Sequence, residues 1–259
     1  MTESIVQMER AQSEEQAVAR AVASLRQSGE EHATPETVEW LSQNFEPLQK
    51  MRGILKTYGD TINEITDNID ASDEERIQAY AELREHVIPQ YQEAAKELEH
   101  EIRSRRQEYH TDVFGIPEMR APAATPADRN SAAMSYRDAL YRLHGADVEE
   151  LDTAASIAEA SGDMALLRAV GLIADQRGAS FRDGKRLVYR YLERAGQKTT
   201  ERYIARNMLP TDSTIGALVS SFEPPRIARG ALAPSAAVLD GRRRQRAQRQ
   251  NRDDAIFRG

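Results

Sequence analysis

The feature that most constrains this chain is a run of apolar residues at steps of three and four: Leu48, Met51, Leu55, Tyr58, Ile62, Ile65 and Ile69. At 3.6 residues per turn this spacing draws one continuous stripe along a helix, which the period of two in a strand cannot do. A turn is expected at Asp70 to Ser72, and Ser72 stands three residues before Glu75. In that pairing the hydroxyl and the carboxylate each satisfy a backbone N–H that a helix start leaves unbonded. The helix so opened is predicted over 73–110, with Ile77, Tyr80, Val87, Tyr91, Ala94, Leu98, Ile102 and Tyr109 on one face. Pro89 lies inside it and is expected to kink it, having no N–H to donate. Two stripes joined by a short turn specify an antiparallel helical hairpin over 48–110. Each buried Ile, Leu or Val contributes roughly 1.5–3 kcal/mol before chain entropy is subtracted.

Helical signals continue on both sides. Residues 3–28 carry Ile5, Met8, Val18, Val22 and Leu25 at helical spacing and stop at Gly29, and Thr34 before Pro35 reads as the cap of a short helix through Phe45, interrupted by Pro47. Residues 111–130, with Gly115, Pro117, Pro122 and Pro126, read as a linker. Five short helices are predicted over 131–209. Caps are expected at Asn130 or Ser131, at Asp147 with Glu150, at Asp163 and at Thr199 or Thr200, the fourth helix running over Phe181 to Ala195; the stops fall at Gly145, Gly162, Gly178, Gly196 and Pro210. Short helices of this kind pack as a compact orthogonal bundle or a miniature solenoid, and because the paired-helix phrase from Ala154 to Gly178 has no second matching copy, a compact bundle is expected. Beyond Pro210, Pro224, Pro225, Gly230, Pro234 and Gly241 punctuate a stretch holding Ile215, Leu218, Val219, Phe222, Ile227, Leu232, Val238 and Leu239. That composition predicts an extended arm over 210–259 that lies along a neighbouring surface. The 259 residues therefore divide into an acidic helical region (1–110), a linker, a short-helix bundle and an arm. The expected fold class is all-α: a long antiparallel helical hairpin plus a compact helical bundle, with an extended C-terminal arm.

Several chemistries have no residues to run on. The chain contains no cysteine, which removes disulfides, thiolate metal sites and a cysteine nucleophile together. Glu97 and His100 have the Glu-x-x-His spacing of di-iron bundles, but Leu98 and Ile102 occupy the apolar stripe, so His100 should project away from it. Glu82 and His86, one turn apart, are expected to pair on the surface. No Gly-x-Ser-x-Gly elbow, Walker-type phosphate loop or dinucleotide glycine cluster occurs, and Gly184-Lys185 lacks the upstream glycine such a loop needs. A non-catalytic protein without cofactor or metal is expected. The first 25 residues include Glu3, Glu9, Arg10, Glu14, Glu15 and Arg20, so no signal peptide is read there, and no apolar run approaches the ~20 residues of a membrane span. The chain is expected to be soluble and to have no membrane partner.

The net charge of −7 conceals a polarity: residues 1–110 hold 12 Lys and Arg against 23 Asp and Glu, and the remainder 23 against 19. Thirty of the 35 basic residues are arginine. Arg242, Arg243, Arg244, Arg246, Arg249 and Arg252 fall within eleven residues, followed by Ile256 and Phe257. Six guanidinium groups so close can neutralise nucleic-acid phosphates, with a steep salt dependence, although few aromatics accompany them for base stacking. They can equally dock on an acidic protein surface, which the N-terminal half of a second copy supplies, or form a solvated terminus without a partner.

An acidic hairpin, a helical bundle and an arm from Pro210 to Gly259 rich in arginine together resemble the minor structural and morphogenesis proteins of tailed bacteriophages. The resemblance implies a place in the head, the head-to-tail connection or a scaffold, hence in the virion or the bacterial host cytoplasm. It implies a structural protein of a homo-oligomer or larger assembly, joined to other protein subunits through the hairpin and the arm. The alternative is a nucleic-acid-associated adaptor that holds phosphates with Arg242 to Arg252.

Overall fold

A computed structural model describes residues 14–27, 33–68, 70–178 and 184–232. Among them are ten α-helices, two 3-10 turns and no strand, so the fold is all-α. The chain divides into two units: residues 1–101 with 210–259, and residues 102–209. The second unit is therefore an insertion within the first.

The first unit holds α1 (Glu14–Gln27), α2 (Pro35–Asn44), α3 (Glu46–Asp67), the start of α4 (Asp73–Phe114) and α10 (Ile215–Ser221). The Thr34 hydroxyl accepts from the Thr37 N–H at 3.2 Å, capping α2 with Pro35 at its first position. The break between α2 and α3 falls at Phe45, which is extended (φ −129°) and buried; Pro47 sits in the first turn of α3, where its missing N–H is not needed.

The hairpin forms as its two stripes require. Ser72 N–H donates to Glu75 at 2.6 Å and Glu75 N–H to the Ser72 hydroxyl at 3.2 Å, opening α4. Leu48, Met51, Leu55, Tyr58 and Ile62 are buried on α3, as are Val87, Tyr91, Ala94 and Leu98 on α4, while Ile65 is half-buried and Ile69 lies outside the described residues. Tyr58 and Ile62 cluster with Val87, and Lys50 meets Glu97 at 3.4 Å, so rising numbers on one helix face falling numbers on the other. The α4 helix continues through Pro89, whose ring is exposed.

The C-terminal expectation is corrected over its first part. Residues 210–232 are not an extended arm reaching elsewhere: they form α10, a stretch over 224–228 and a 3-10 turn at Arg229–Leu232, all within the first unit. Here α10 packs on α1, with Ile215, Leu218, Phe222 and Leu232 fully or almost fully buried. Three tyrosines and an arginine of the hairpin hold the backbone. Tyr91 donates to the Val219 carbonyl at 2.8 Å, Tyr58 and Arg84 both donate to the Pro225 carbonyl at 2.7 and 3.1 Å, and the Ile227 N–H donates to the Tyr80 hydroxyl at 2.8 Å. The physical reason is burial: apolar side chains at roughly 1.5–3 kcal/mol each find a partner surface within the chain. Residues 233–259 lie outside the described residues, Arg242 to Arg252, Ile256 and Phe257 with them.

The second unit contains α4 from Ile102 onward, a 3-10 turn (Pro117–Met119), α5 (Pro126–Leu143), α6 (Val148–Ser161), α7 (Met164–Arg177), α8 (Gly184–Ala195) and α9 (Gln197–Met208). The bundle centres on α7, which packs against α5, α6 and α8. Two boundaries differ from the sequence reading. First, α5 starts at Pro126, not near Ser131, because Thr125 and Asp128 cap it reciprocally; the linker shrinks accordingly. Second, α9 starts after Gly196, whose φ of 93° breaks the chain, and Thr199 and Thr200 lie inside the helix with their hydroxyls bonded back to Ala195 and Gly196 carbonyls. The caps at Asp147 with Glu150 and at Asp163 form as expected. Gly171 permits a close approach: a Cβ there would lie 2.8 Å from Tyr191 Cδ1.

The C-terminal end of α4 is closed by this bundle. Tyr136 donates to the Phe114 carbonyl at 2.9 Å and Tyr191 to the Val113 carbonyl, supplying two of the partners that a buried helix end lacks. Buried Arg168 lies beside them, its Nε 3.4 Å from the Tyr191 hydroxyl and its guanidinium 6.0 Å from the Tyr136 ring centre. Burial pushes the Tyr136 hydroxyl up to about 12, so it stays protonated and donates.

Candidate functional site

Among the described residues two concave sites stand out, one in each unit. In the first unit, α1, α2 and α3 bound a groove of about 670 Å³. Its apolar part comes from Val18 and Ala19 of α1 and Pro35 and Trp40 of α2. The exposure of Trp40 follows from the pattern of α2, where Val38 and Leu41 turn inward and are fully buried. Trp40, the only tryptophan of the chain, is half-buried and packs edge-on against Phe45 at 6.5 Å between ring centres. Glu15, Glu36 and Glu39 stand at the rim with Arg52. Arg52 donates to Glu39 at 2.8 Å, and this bond and charge hold the Glu39 carboxyl below the usual carboxylate range. The hydroxyl of Thr34 does the same for Glu36. Glu36 and Glu39 therefore stay ionised, and three carboxylates against one guanidinium make the rim acidic, an arrangement suited to an apolar segment flanked by basic residues.

In the second unit, a cleft of about 380 Å³ lies between the last turn of α4, the turn through Gly115 and Arg120, and the first turn of α9. Arg120, Lys198 and Arg202 line it, with Asp112 as the single carboxylate. Asp112 pairs with Arg120 through one oxygen and approaches Arg202 Nε at 3.6 Å through the other. The Arg202 guanidinium also lies 5.0 Å from the Tyr109 ring centre, a cation–π contact. Gly115 is needed at the edge of this cleft, since a Cβ there would fall 2.2 Å from the Thr111 carbonyl oxygen.

The residues weighed from sequence for acid–base or metal chemistry do not converge. Glu97 is engaged with Lys50, and His100 is exposed, as the stripe requires. Glu82 and His86 do not pair as expected: Glu82 accepts from Gln78 at 3.0 Å and His86 shares a 2.8 Å bond with Gln90, each neighbour one helical turn away. His110 sits 5.4 Å from Phe114 between ring centres, and burial, then the charge of Arg206, lowers its pKa against the opposing pull of Asp175. Among the described residues no group of three His, Asp or Glu is placed to hold a metal ion, and no helix is long and apolar enough to cross a membrane.

Sequence reasoning missed both concave sites. The groove has a faint signal, a tryptophan two residues off the inward face of a short capped helix. The cleft has none, because Asp112 and Arg202 are far apart in the chain. The exposed large apolar side chains among the described residues, Met119, Met134, Tyr141, Ile157, Tyr189 and Ile204, all lie in the second unit rather than on the hairpin. No protein family, curated protein or solved structure matches the chain.

Proposed function

We propose that the chain is a non-catalytic structural or assembly protein of a multi-subunit particle, and that copies join by docking the C-terminal segment of one into the Trp40 groove of the next. The observation that carries this reading is the open apolar groove with its acidic rim. Charge complementarity names the occupant: the residues after Leu232 include six arginines in eleven positions and then the apolar pair Ile256 and Phe257. The return segment leads away from the groove of its own copy. It passes Tyr91, then Tyr58 and Arg84, then Tyr80, and so runs toward the α3–α4 turn, whereas the groove lies beside Arg52 at the opposite end of α3. The 27 residues beyond Leu232 reach up to about 90 Å when extended, enough to meet a neighbour. A tailed-phage virion, the setting that the sequence layout resembles, is where we place such a subunit.

Sedimentation of the full-length chain tests this, with Trp40 emission as a local probe. Association with rising concentration, a blue shift of Trp40, and loss of both in Phe257→Asp and in Glu36→Lys are expected. A monomer at every concentration with an unchanging emission would overturn it. Binding to DNA that fades between low and physiological salt and vanishes on deleting residues 241–252 would move the conclusion to the nucleic-acid adaptor.

A further inference from the structure

We infer that the cleft at Asp112 in the second unit binds the phosphate group of a small phosphorylated molecule. Three cations, Arg120, Lys198 and Arg202, converge on a cavity that contains a single carboxylate. Asp112 uses one oxygen on Arg120 and turns the other toward Arg202, so the pair of guanidiniums is held in position while two positive charges stay uncompensated. Arg202 is held a second time, by the face of Tyr109. Lys198 has no acceptor among the described residues, and its exposed ammonium stands on the first turn of α9.

The chemistry of the lining selects the ligand. A phosphate monoester carries close to two negative charges and three acceptor oxygens, which match two forked guanidiniums and one ammonium acting as a point charge. The first turn of α9 adds to the same field: Gly196 precedes it with no side chain to accept from its N–H groups, and Thr199 of that turn lines the cleft. The cations meet around one cavity rather than along a face, which suits a single phosphate better than the repeating backbone of a nucleic acid. A volume of about 380 Å³ admits the phosphate and a small body attached to it, near the lower end of small-molecule sites.

The test titrates the full-length protein with inorganic phosphate, pyrophosphate, chloride at matched ionic strength, and a short DNA duplex, read by calorimetry and thermal melting. Phosphate and pyrophosphate are expected to bind and raise the melting temperature where chloride does not. Lys198→Ala, a change at an exposed residue that leaves the fold intact, should weaken them about tenfold. Lys198→Arg, which keeps the positive charge, should restore most of the binding. Equal effects of phosphate and chloride, or phosphate binding unchanged in Lys198→Ala, would overturn the inference. DNA binding that depends on Lys198 without any response to phosphate or pyrophosphate would replace it with a nucleic-acid contact.

Discussion

The Tyr58 hydroxyl donates a 2.7 Å hydrogen bond to the carbonyl of Pro225, joining positions 167 residues apart. Arg84 donates to the same carbonyl at 3.1 Å. Tyr58→Phe should lower stability by about 1 kcal/mol, since Arg84 keeps the carbonyl bonded. Combining it with Arg84→Met should cost more than the two single changes together, because the carbonyl is then left without a donor. Urea denaturation gives the energies. Limited proteolysis within 223–228 should speed up in the double variant most of all.

Gly171 lies against the Tyr191 ring. An alanine there places a methyl 2.8 Å from Cδ1 and should destabilise the second unit by about 1–3 kcal/mol. The displaced ring would also loosen its bond to the Val113 carbonyl. A denaturation midpoint equal to that of the parent would show that the helices can separate without penalty, contrary to this reading.

Two hydroxyl or carboxyl positions that look alike in sequence should behave differently. Asp163 accepts from the N–H groups of Ala165 and Leu166, both at 3.0 Å, so Asp163→Ala should cost about 1 kcal/mol. Thr199 lies inside α9 with its hydroxyl bonded back to Ala195, and Thr199→Ala should stay within about 0.5 kcal/mol. Thermal melts of the two variants, side by side, check the contrast.

His110 sets a pH dependence. Its folded pKa lies below the ordinary 6.5, through burial first and Arg206 second. Over that window the unfolded chain binds the proton before the folded one does, so stability rises with pH. The contribution is complete above about pH 6.5 and diminishes as pH falls toward the lower folded value. Urea midpoints of the parent should therefore drop on going from about pH 7.5 to about pH 5.5, and His110→Gln should flatten that drop. A parallel drop in the variant would assign it to other groups.

Local signals were the legible ones. Ser72 with Glu75, Asp147 with Glu150, and the stripe from Leu48 to Ile62 depend on neighbours within a turn or two, and the structure forms them as read. Thr125-Pro126 repeats the cap seen at Thr34-Pro35 and was legible in principle, but Gly115, Pro117 and Pro122 before it read as linker. The return of residues 210–232 was not legible. Pro224 and Pro225 lack N–H groups and suggest an arm by composition, while what holds them is the carbonyl of Pro225, whose donors Tyr58 and Arg84 come from another part of the chain. The groove and the cleft both need contacts between helices: Arg52 joins Glu39 on the preceding helix, and Arg202 joins Asp112 with four helices between them.

The inserted unit has its ends fastened together, since Arg106 donates to the Leu209 carbonyl at 3.0 Å. During synthesis this reverses the usual order, in which the segment made first also folds first. Residues 102–209 can close as soon as Leu209 emerges. The hairpin, translated earlier, must wait with Tyr58, Tyr80 and Tyr91 uncovered until Ile215 to Leu232 arrive. A nascent chain stalled before Pro210 would thus expose its amino-terminal half to chaperones and proteases while its later half is already finished.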